Sequence, residues 1–137
     1  MLEKYLVIYP SGLMQWVELE RKPRYDGIYN GEPALCLSDI REVIGCDWLE
    51  QVRTIFPGIV MMVDEVGKVL PQPKAHNELA SRLYGGWVPE KHDDICGTAV
   101  LFGLRRTGVY GELDIFPLLP SQVQIIATQM RVPVPQP

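Results

Sequence analysis

The residues best suited to binding chemistry in this sequence are arginines that lie close to aromatic side chains. Arg105 and Arg106 follow an apolar stretch, and Tyr110 comes close behind them. Gly103 and Gly108 flank the pair and permit an unusual backbone. Guanidinium groups bind phosphate through paired hydrogen bonds, and aromatic rings stack on nucleobases. This segment is therefore the best candidate for contact with an anion, and the alternative is two solvated arginines in a loop between strands.

The same chemistry is available at four other positions. They are Arg24, Tyr25, Arg53 and Trp87. A ligand-binding site built from these groups would take a phosphate-bearing small molecule, and it would need no cofactor.

One short segment contains four side chains of metal-binding types, His92, Asp93, Asp94 and Cys96. These side chains are of the types that bind zinc or iron. However, adjacent residues cannot all converge on one ion, and the other histidine, His76, belongs to no second cluster. The sequence predicts a solvated loop here and no metal site.

Covalent catalysis has little support in the sequence. Ser11, Ser38 and Ser81 fall at turn, cap or helix positions, there are two histidines, and no Gly-x-Ser-x-Gly elbow occurs. The carboxylates of Asp64 and Glu65 are expected to point apart and stay solvated at a hairpin tip. No catalytic residue is predicted, and binding is favoured over turnover.

Composition narrows the class of protein. The 137 residues are 47% hydrophobic and 22% charged, as expected for a single soluble domain. The net charge of −4 argues against binding of duplex nucleic acid. No apolar run approaches the roughly 20 residues that a membrane-spanning helix needs. Three cysteines without CxxC spacing indicate reduced thiols and a cytoplasmic location.

Hydrophobic periodicity predicts a single α+β domain over residues 1–131, followed by a proline-rich, flexible tail over 132–137. The expected sheet is antiparallel or mixed and is covered by about three helices. Its hairpins are 2–9/13–20 and 59–63/67–70, its further strands are 48–56 and 95–102, and the helices lie near 38–44, 77–84 and 120–131. Ser38 and Asn77 are the expected N-caps, and Gly45 the left-handed C-cap.

Residues 21–35 form the least regular stretch, with two prolines and two glycines at scattered positions. Long loops without periodicity are often functional. A strand extension or a simple insertion is the alternative.

Three segments together resemble a family of small proteins of unknown function that phages and other mobile elements encode. The family pattern is G-x-VMVVDEEGK, then P-x-N-x-x-A-S-x-LYG, then I-x-G-x-ALL-x-G. The corresponding segments here are residues 58–68, 77–85 and 95–103. The resemblance covers residues 37–130, departs from the family at Cys46 and in 21–35, and implies no catalytic residue. Gly67 is expected to supply a positive φ in the second hairpin.

The resulting hypothesis is a non-enzymatic, phage-type accessory protein that acts by binding. It would sequester or inhibit a host defence component, such as a signalling nucleotide, in the host cytoplasm. The first alternative is an inhibitor or adaptor of a host enzyme that presents Trp16 or the 21–35 loop. The second, less favoured, is a small metal-dependent hydrolase. A homodimer is expected to cover an unpaired strand.

Overall fold

An antiparallel sheet forms the centre of the protein. The computed structural model describes residues 2–27, 30–69, 72–85, 94–107 and 112–137, and these residues form seven strands. The strands are β1 (Leu2–Ile8), β2 (Met14–Pro23), β3 (Pro33–Leu35), β4 (Leu49–Arg53), β5 (Ile59–Asp64), β6 (Ala99–Thr107) and β7 (Glu112–Phe116). Their order is β3-β2-β1-β6-β5-β4, and β7 pairs with residues 103–107 of β6.

Helices cover both faces of this sheet. They are α1 (Leu37–Ile44), α2 (Glu78–Leu83) and α3 (Pro120–Met130). Alternate side chains of the central strands point to opposite faces, as the pleat requires. One face, with Leu6, Ile8, Met61 and Leu101, packs against α2 and α3. The other face, with Tyr5, Val7, Val60 and Phe102, packs against α1. The predicted single-domain α+β fold is confirmed.

Several local predictions are confirmed. The first hairpin and the three helices form close to their expected bounds. Asn77 caps α2, since its Oδ1 accepts a hydrogen bond from the Ala80 N–H at 3.1 Å. Gly45 ends α1 in the left-handed conformation, with φ of 75°. The predicted cap at Ser38 is wrong, because α1 begins at Leu37 and its N-cap residue is Cys36.

The predicted second hairpin is also wrong. The residues after β5 form a turn in which the Val69 N–H donates to the Val66 carbonyl, and β5 pairs with β4 and β6. Gly67 has no positive φ. A Cβ at Gly67 would lie 2.6 Å from the Cys96 carbonyl oxygen. Glycine is needed there because another backbone approaches closely, and not because of a left-handed turn.

Pairing extends two strands beyond their predicted ends. Residues 21–23 continue β2 and pair with β3, which confirms the strand-extension alternative for part of 21–35. The predicted strand 95–102 is shifted, since β6 begins at Ala99 and runs to Thr107. Arg105 and Arg106 therefore belong to a strand and not to a loop after one. Strand β7, which pairs with them, was not predicted.

A buried arginine joins three strands at this end of the sheet. The Arg21 side chain is 5% exposed, and its Nε lies 2.8 Å from Glu3 Oε1. Its Nη2 donates to the Ile115 carbonyl oxygen at 2.6 Å, and its guanidinium lies 4.3 Å from the Phe116 ring centroid. Burial opposes the charge, but the hydrogen bonds to Glu3 and Tyr5 outweigh it, so the pKa of Arg21 is raised.

The segment after α3 lies against the body of the protein. Val132 and Val134 pack on the face covered by α2 and α3. The Trp16 indole Nε1 donates to the Pro135 carbonyl oxygen at 2.6 Å. Flexibility of residues 132–137 stays a prediction. No helix formed by the described residues is long and apolar enough to cross a membrane.

The Arg21 ion pair leads to a stability prediction. Glu3→Gln removes the nearer of two carboxylates that compensate the buried guanidinium, the other being Asp114 at 3.5 Å, so the free energy of unfolding should fall by about 2 kcal/mol. Urea denaturation measures this loss. The control is Glu18→Gln on β2, whose side chain is exposed, and it should unfold like the wild type. Equal stability of the two variants would contradict a role for the Glu3 carboxylate.

Candidate functional site

The predicted ligand-binding residues do not form one site. Arg105 is engaged within its own hairpin, since its Nη2 donates to the Pro117 carbonyl oxygen at 3.0 Å. Arg53 lies on β4 at one edge of the sheet, and Arg24 follows β2 beside the opposite edge strand, β3. Arg106 is exposed on β6. Trp87 and Tyr110 lie outside the described residues.

Arg24 lines a groove between the β2–β3 pair and the start of α1, and Tyr25 follows it in the chain but is not one of the lining residues. The groove has a volume of about 450 Å³, within the size range typical of small-molecule sites. We call it the cationic groove. It is lined by Lys22, Pro23, Arg24, Ala34, Leu35, Cys36, Leu37, Ser38 and Arg41.

The cationic groove carries three basic side chains and no carboxylate among these lining residues. Two of the cations have acidic neighbours just outside it. Arg24 forms two hydrogen bonds with Asp26, at 2.7 and 2.8 Å, and the Lys22 Nζ lies 3.7 Å from Glu20. Both acidic side chains are exposed, so solvent screens these pairs strongly.

Cys36 lines the cationic groove and contacts Ser38. Its Sγ lies 2.8 Å from the Ser38 Oγ. The Ser38 hydroxyl and backbone N–H stabilise the thiolate and lower the pKa of Cys36. Desolvation and the negative charge of Asp39 oppose this effect without reversing it.

A second cluster lies elsewhere, where three chemically different side chains converge. The His76 Nδ1 lies 2.5 Å from Asp94 Oδ2, and the Cys96 Sγ donates to the same oxygen at 3.6 Å. One ligand atom from each residue lies within 4.8 Å of those of the other two. We call these residues the His-Asp-Cys cluster.

Backbone pairing brings the His-Asp-Cys cluster together. His76 and Cys96 face each other in an isolated antiparallel bridge, which places their side chains on one side. Asp94 lies two residues before Cys96 in the same extended segment, so its side chain emerges on that side too.

Buried polar groups of Asn77 and Ser81 hold this arrangement. The Asn77 Nδ2 donates to the carbonyl oxygens of Ile8 and Gly97, at 3.0 and 2.9 Å. One turn later on α2, the Ser81 Oγ accepts from the Ile95 N–H at 2.8 Å. Asn77 is 1% exposed and Ser81 is fully buried. The segment that carries Asp94 and Cys96 is thus tied to both β1 and α2.

The two acidic groups of the cluster respond to burial in different ways. Burial opposes ionisation of Asp94, but the hydrogen bonds from His76 and Cys96 outweigh it and lower the pKa of its carboxyl. Burial and the Asp94 charge both raise the pKa of the Cys96 thiol. With Asp94 ionised, the cluster presents an anionic oxygen beside a nitrogen and a sulfur.

The cluster opens towards a cleft that is mainly acidic. The polar residues that line this cleft are Glu50, Asp64, Glu65, Lys68, Tyr84, Asp94 and Cys96. Contrary to the expectation of a solvated hairpin tip, Asp64 is 8% exposed. Its Oδ1 accepts from the Val66 N–H at 3.0 Å, and its Oδ2 pairs with Lys74 Nζ at 2.7 Å.

No pattern in the sequence linked His76 to Asp94 and Cys96. The alternate spacing of Asp94 and Cys96 was visible as a signal. Their pairing with His76 depends on a bridge between segments far apart in the chain. His92 and Asp93, the other residues weighed for metal binding, lie outside the described residues.

One protein family matches the region of the chain that contains both candidate sites. A family model described as "Domain of unknown function (DUF3846)" matches residues 4–115. The chain belongs to this family. No curated protein and no solved structure matches it. The predicted membership of a family of unknown function is thus confirmed. A phage or mobile-element origin stays a prediction. The DUF3846 match includes the cationic groove and the His-Asp-Cys cluster, and it ends before α3.

The contacts of Asn77 lead to the next prediction. Asn77→Ala leaves two carbonyl oxygens and one N–H without their bonds, so the free energy of unfolding should fall by about 3 kcal/mol or more. Urea denaturation measures the loss. As the control, Gln124→Ala removes an exposed amide bonded to Thr128 and should change stability little. A loss below about 1 kcal/mol would show that Asn77 does not hold the segment.

The Cys36 environment leads to a prediction about reactivity. Because its pKa is lowered, Cys36 should react with iodoacetamide at lower pH than Cys46 and Cys96, whose pKa values burial raises. Ser38→Ala should move the Cys36 profile to higher pH. Peptide mass spectrometry after timed alkylation gives each profile. A Cys36 profile that is unchanged in Ser38→Ala would contradict the assigned cause.

Proposed function

We propose that the protein acts by binding a small molecule that bears phosphate groups, in the cationic groove. The observation that carries this proposal is the grouping of Lys22, Arg24 and Arg41 around one groove whose lining residues include no carboxylate. Arginine and lysine bind phosphate oxygens by charge-assisted hydrogen bonds. Arg24 was one of the residues that the sequence singled out for this role.

Tyr25 supports a ligand that also has a planar ring. Its ring lies close to Gly31, where an added Cβ would be 3.1 Å from Tyr25 Cε1. The Tyr25 side chain is nevertheless 81% exposed, so it offers surface for stacking directly after Arg24. A nucleotide combines a stacking base with phosphate, and we propose this class of ligand.

The proposed role is occupancy and not turnover. Among the residues that line the groove, no histidine or carboxylate is placed to act as a general base. If the protein comes from a phage, as the resemblance implies, sequestering a signalling nucleotide of host defence would be a use for such a groove. This biological role is part of the proposal.

Binding of a host protein is the alternative function. The two surfaces considered for it, Trp16 and the 21–35 segment, differ in how well they could contact a partner. Trp16 is half-buried and bonded to Pro135, so it is poorly placed as an anchor. The exposed Tyr25 leaves the 21–35 segment as the better surface for a partner. A homodimer paired through an edge strand, β3 or β4, also stays a proposal.

Calorimetric titration with inorganic phosphate and a panel of mono-, di- and cyclic nucleotides tests the proposal. We expect one nucleotide class to bind, with an affinity that falls as salt is raised. Arg41→Gln and Lys22→Gln should each weaken binding by about tenfold or more, since each removes a charge-assisted hydrogen bond.

Arg53→Gln on β4 is the matched control, because it makes the same charge change far from the cationic groove. Arg105→Gln tests the site that the sequence favoured. The assignment to the groove is wrong if Arg105→Gln abolishes binding and Arg41→Gln does not. The absence of binding to every probe would remove the nucleotide proposal altogether, and a stoichiometric protein recovered from host lysate would favour the alternative.

A further inference from the structure

We propose that the His-Asp-Cys cluster is a binding site for a divalent transition-metal ion, with zinc as the expected ion. His76 would supply a ring nitrogen, Asp94 a carboxylate oxygen and Cys96 its thiolate sulfur. This inference does not depend on the cationic groove or on its ligand.

The distances between the three ligand atoms are close to those that a single ion requires. Zinc binds nitrogen and oxygen at about 2.0–2.2 Å and sulfur at about 2.3 Å, so the ligand atoms on one tetrahedral ion lie about 3–4 Å apart. In the cluster these atoms lie within 4.8 Å of one another, and the His76–Asp94 pair is closer, at 2.5 Å. Small side-chain rotations in place would open that pair and admit the ion.

The backbone holds all three ligands before any ion binds. Cys96 is paired with His76, and its carbonyl oxygen fits against Gly67, where a Cβ would lie at 2.6 Å. Asn77, next to His76, is buried, and it bonds to the carbonyl oxygens of Ile95 and Gly97, the residues on either side of Cys96. Positions fixed in this way reduce the entropy that ordering the ligands would otherwise cost.

The surrounding charge also favours a cation. Besides the ligand Asp94, the adjoining cleft is lined by three carboxylates, from Glu50, Asp64 and Glu65, against one lysine, Lys68. Lys74 pairs with Asp64, which still leaves more negative than positive groups. The His76 side chain is 41% exposed, so an ion can reach it from solvent.

The ligand types select the ion. Imidazole nitrogen and thiolate sulfur suit zinc and related transition metals, whereas magnesium and calcium prefer oxygen ligands alone. Three protein ligands leave the fourth tetrahedral position for water or another small ligand.

The test uses full-length protein stripped with a chelator and then dialysed. Titration with Zn²⁺ in competition with a chromophoric chelator should give one tight site per chain. Co²⁺ should add a thiolate-to-metal charge-transfer band in the near ultraviolet. His76→Ala and Cys96→Ser should each weaken zinc binding by at least about tenfold, the least that a lost ligand is expected to cost, and Cys96→Ser should abolish the band.

Cys36→Ser is the matched control, because it removes an exposed cysteine outside the cluster and should leave the affinity unchanged. Thermal unfolding of each stripped variant shows whether it still folds. If Cys96→Ser does not fold, His76→Ala still tests the site, because the His76 side chain is exposed. The proposal is overturned if the stripped wild type binds no stoichiometric zinc, if both cluster variants bind as the wild type does, or if Cys36→Ser alone removes binding.

Discussion

A single buried amide holds together the parts of this protein that would otherwise be independent. Asn77 caps α2 with its side-chain oxygen and bonds with its side-chain nitrogen to the end of β1 and to Gly97. Its own backbone N–H donates to the Ile95 carbonyl oxygen at 2.8 Å. Because it is 1% exposed, no water can replace these bonds cheaply. The position of residues 94–97 depends on this side chain.

The three segments that carry the family resemblance meet around residues 94–97. Segment 58–68 contributes the close approach of Gly67, segment 77–85 contributes Asn77 and Ser81, and segment 95–103 is the chain that they hold. Residues in these segments therefore have a structural explanation in common. The same packing also presents Asp94 and Cys96 to His76, so a structural motif and a candidate ligand set share one framework.

The candidate sites show why residue type alone is a weak guide to binding. Arg105 was the strongest candidate in the sequence, yet its guanidinium bonds to Pro117 and lies over Phe116. Arg24 lies beside a groove because β2, the strand before it, continues past the hairpin and ends at Pro23. The groove is completed by Arg41 on α1, which no sequence pattern linked to Arg24.

Local signals in the sequence were sufficient for the fold class, the helices, the first hairpin and the Asn77 cap, because periodicity and capping depend on residues within a few positions of one another. The partner of β5, the strand β7 and the role of Gly67 were decided only in the tertiary structure. So was the meeting of His76 with Asp94 and Cys96. Each of these depends on which distant backbone lies alongside, and strand pairing is set by burial on both sheet faces, which no single segment specifies by itself.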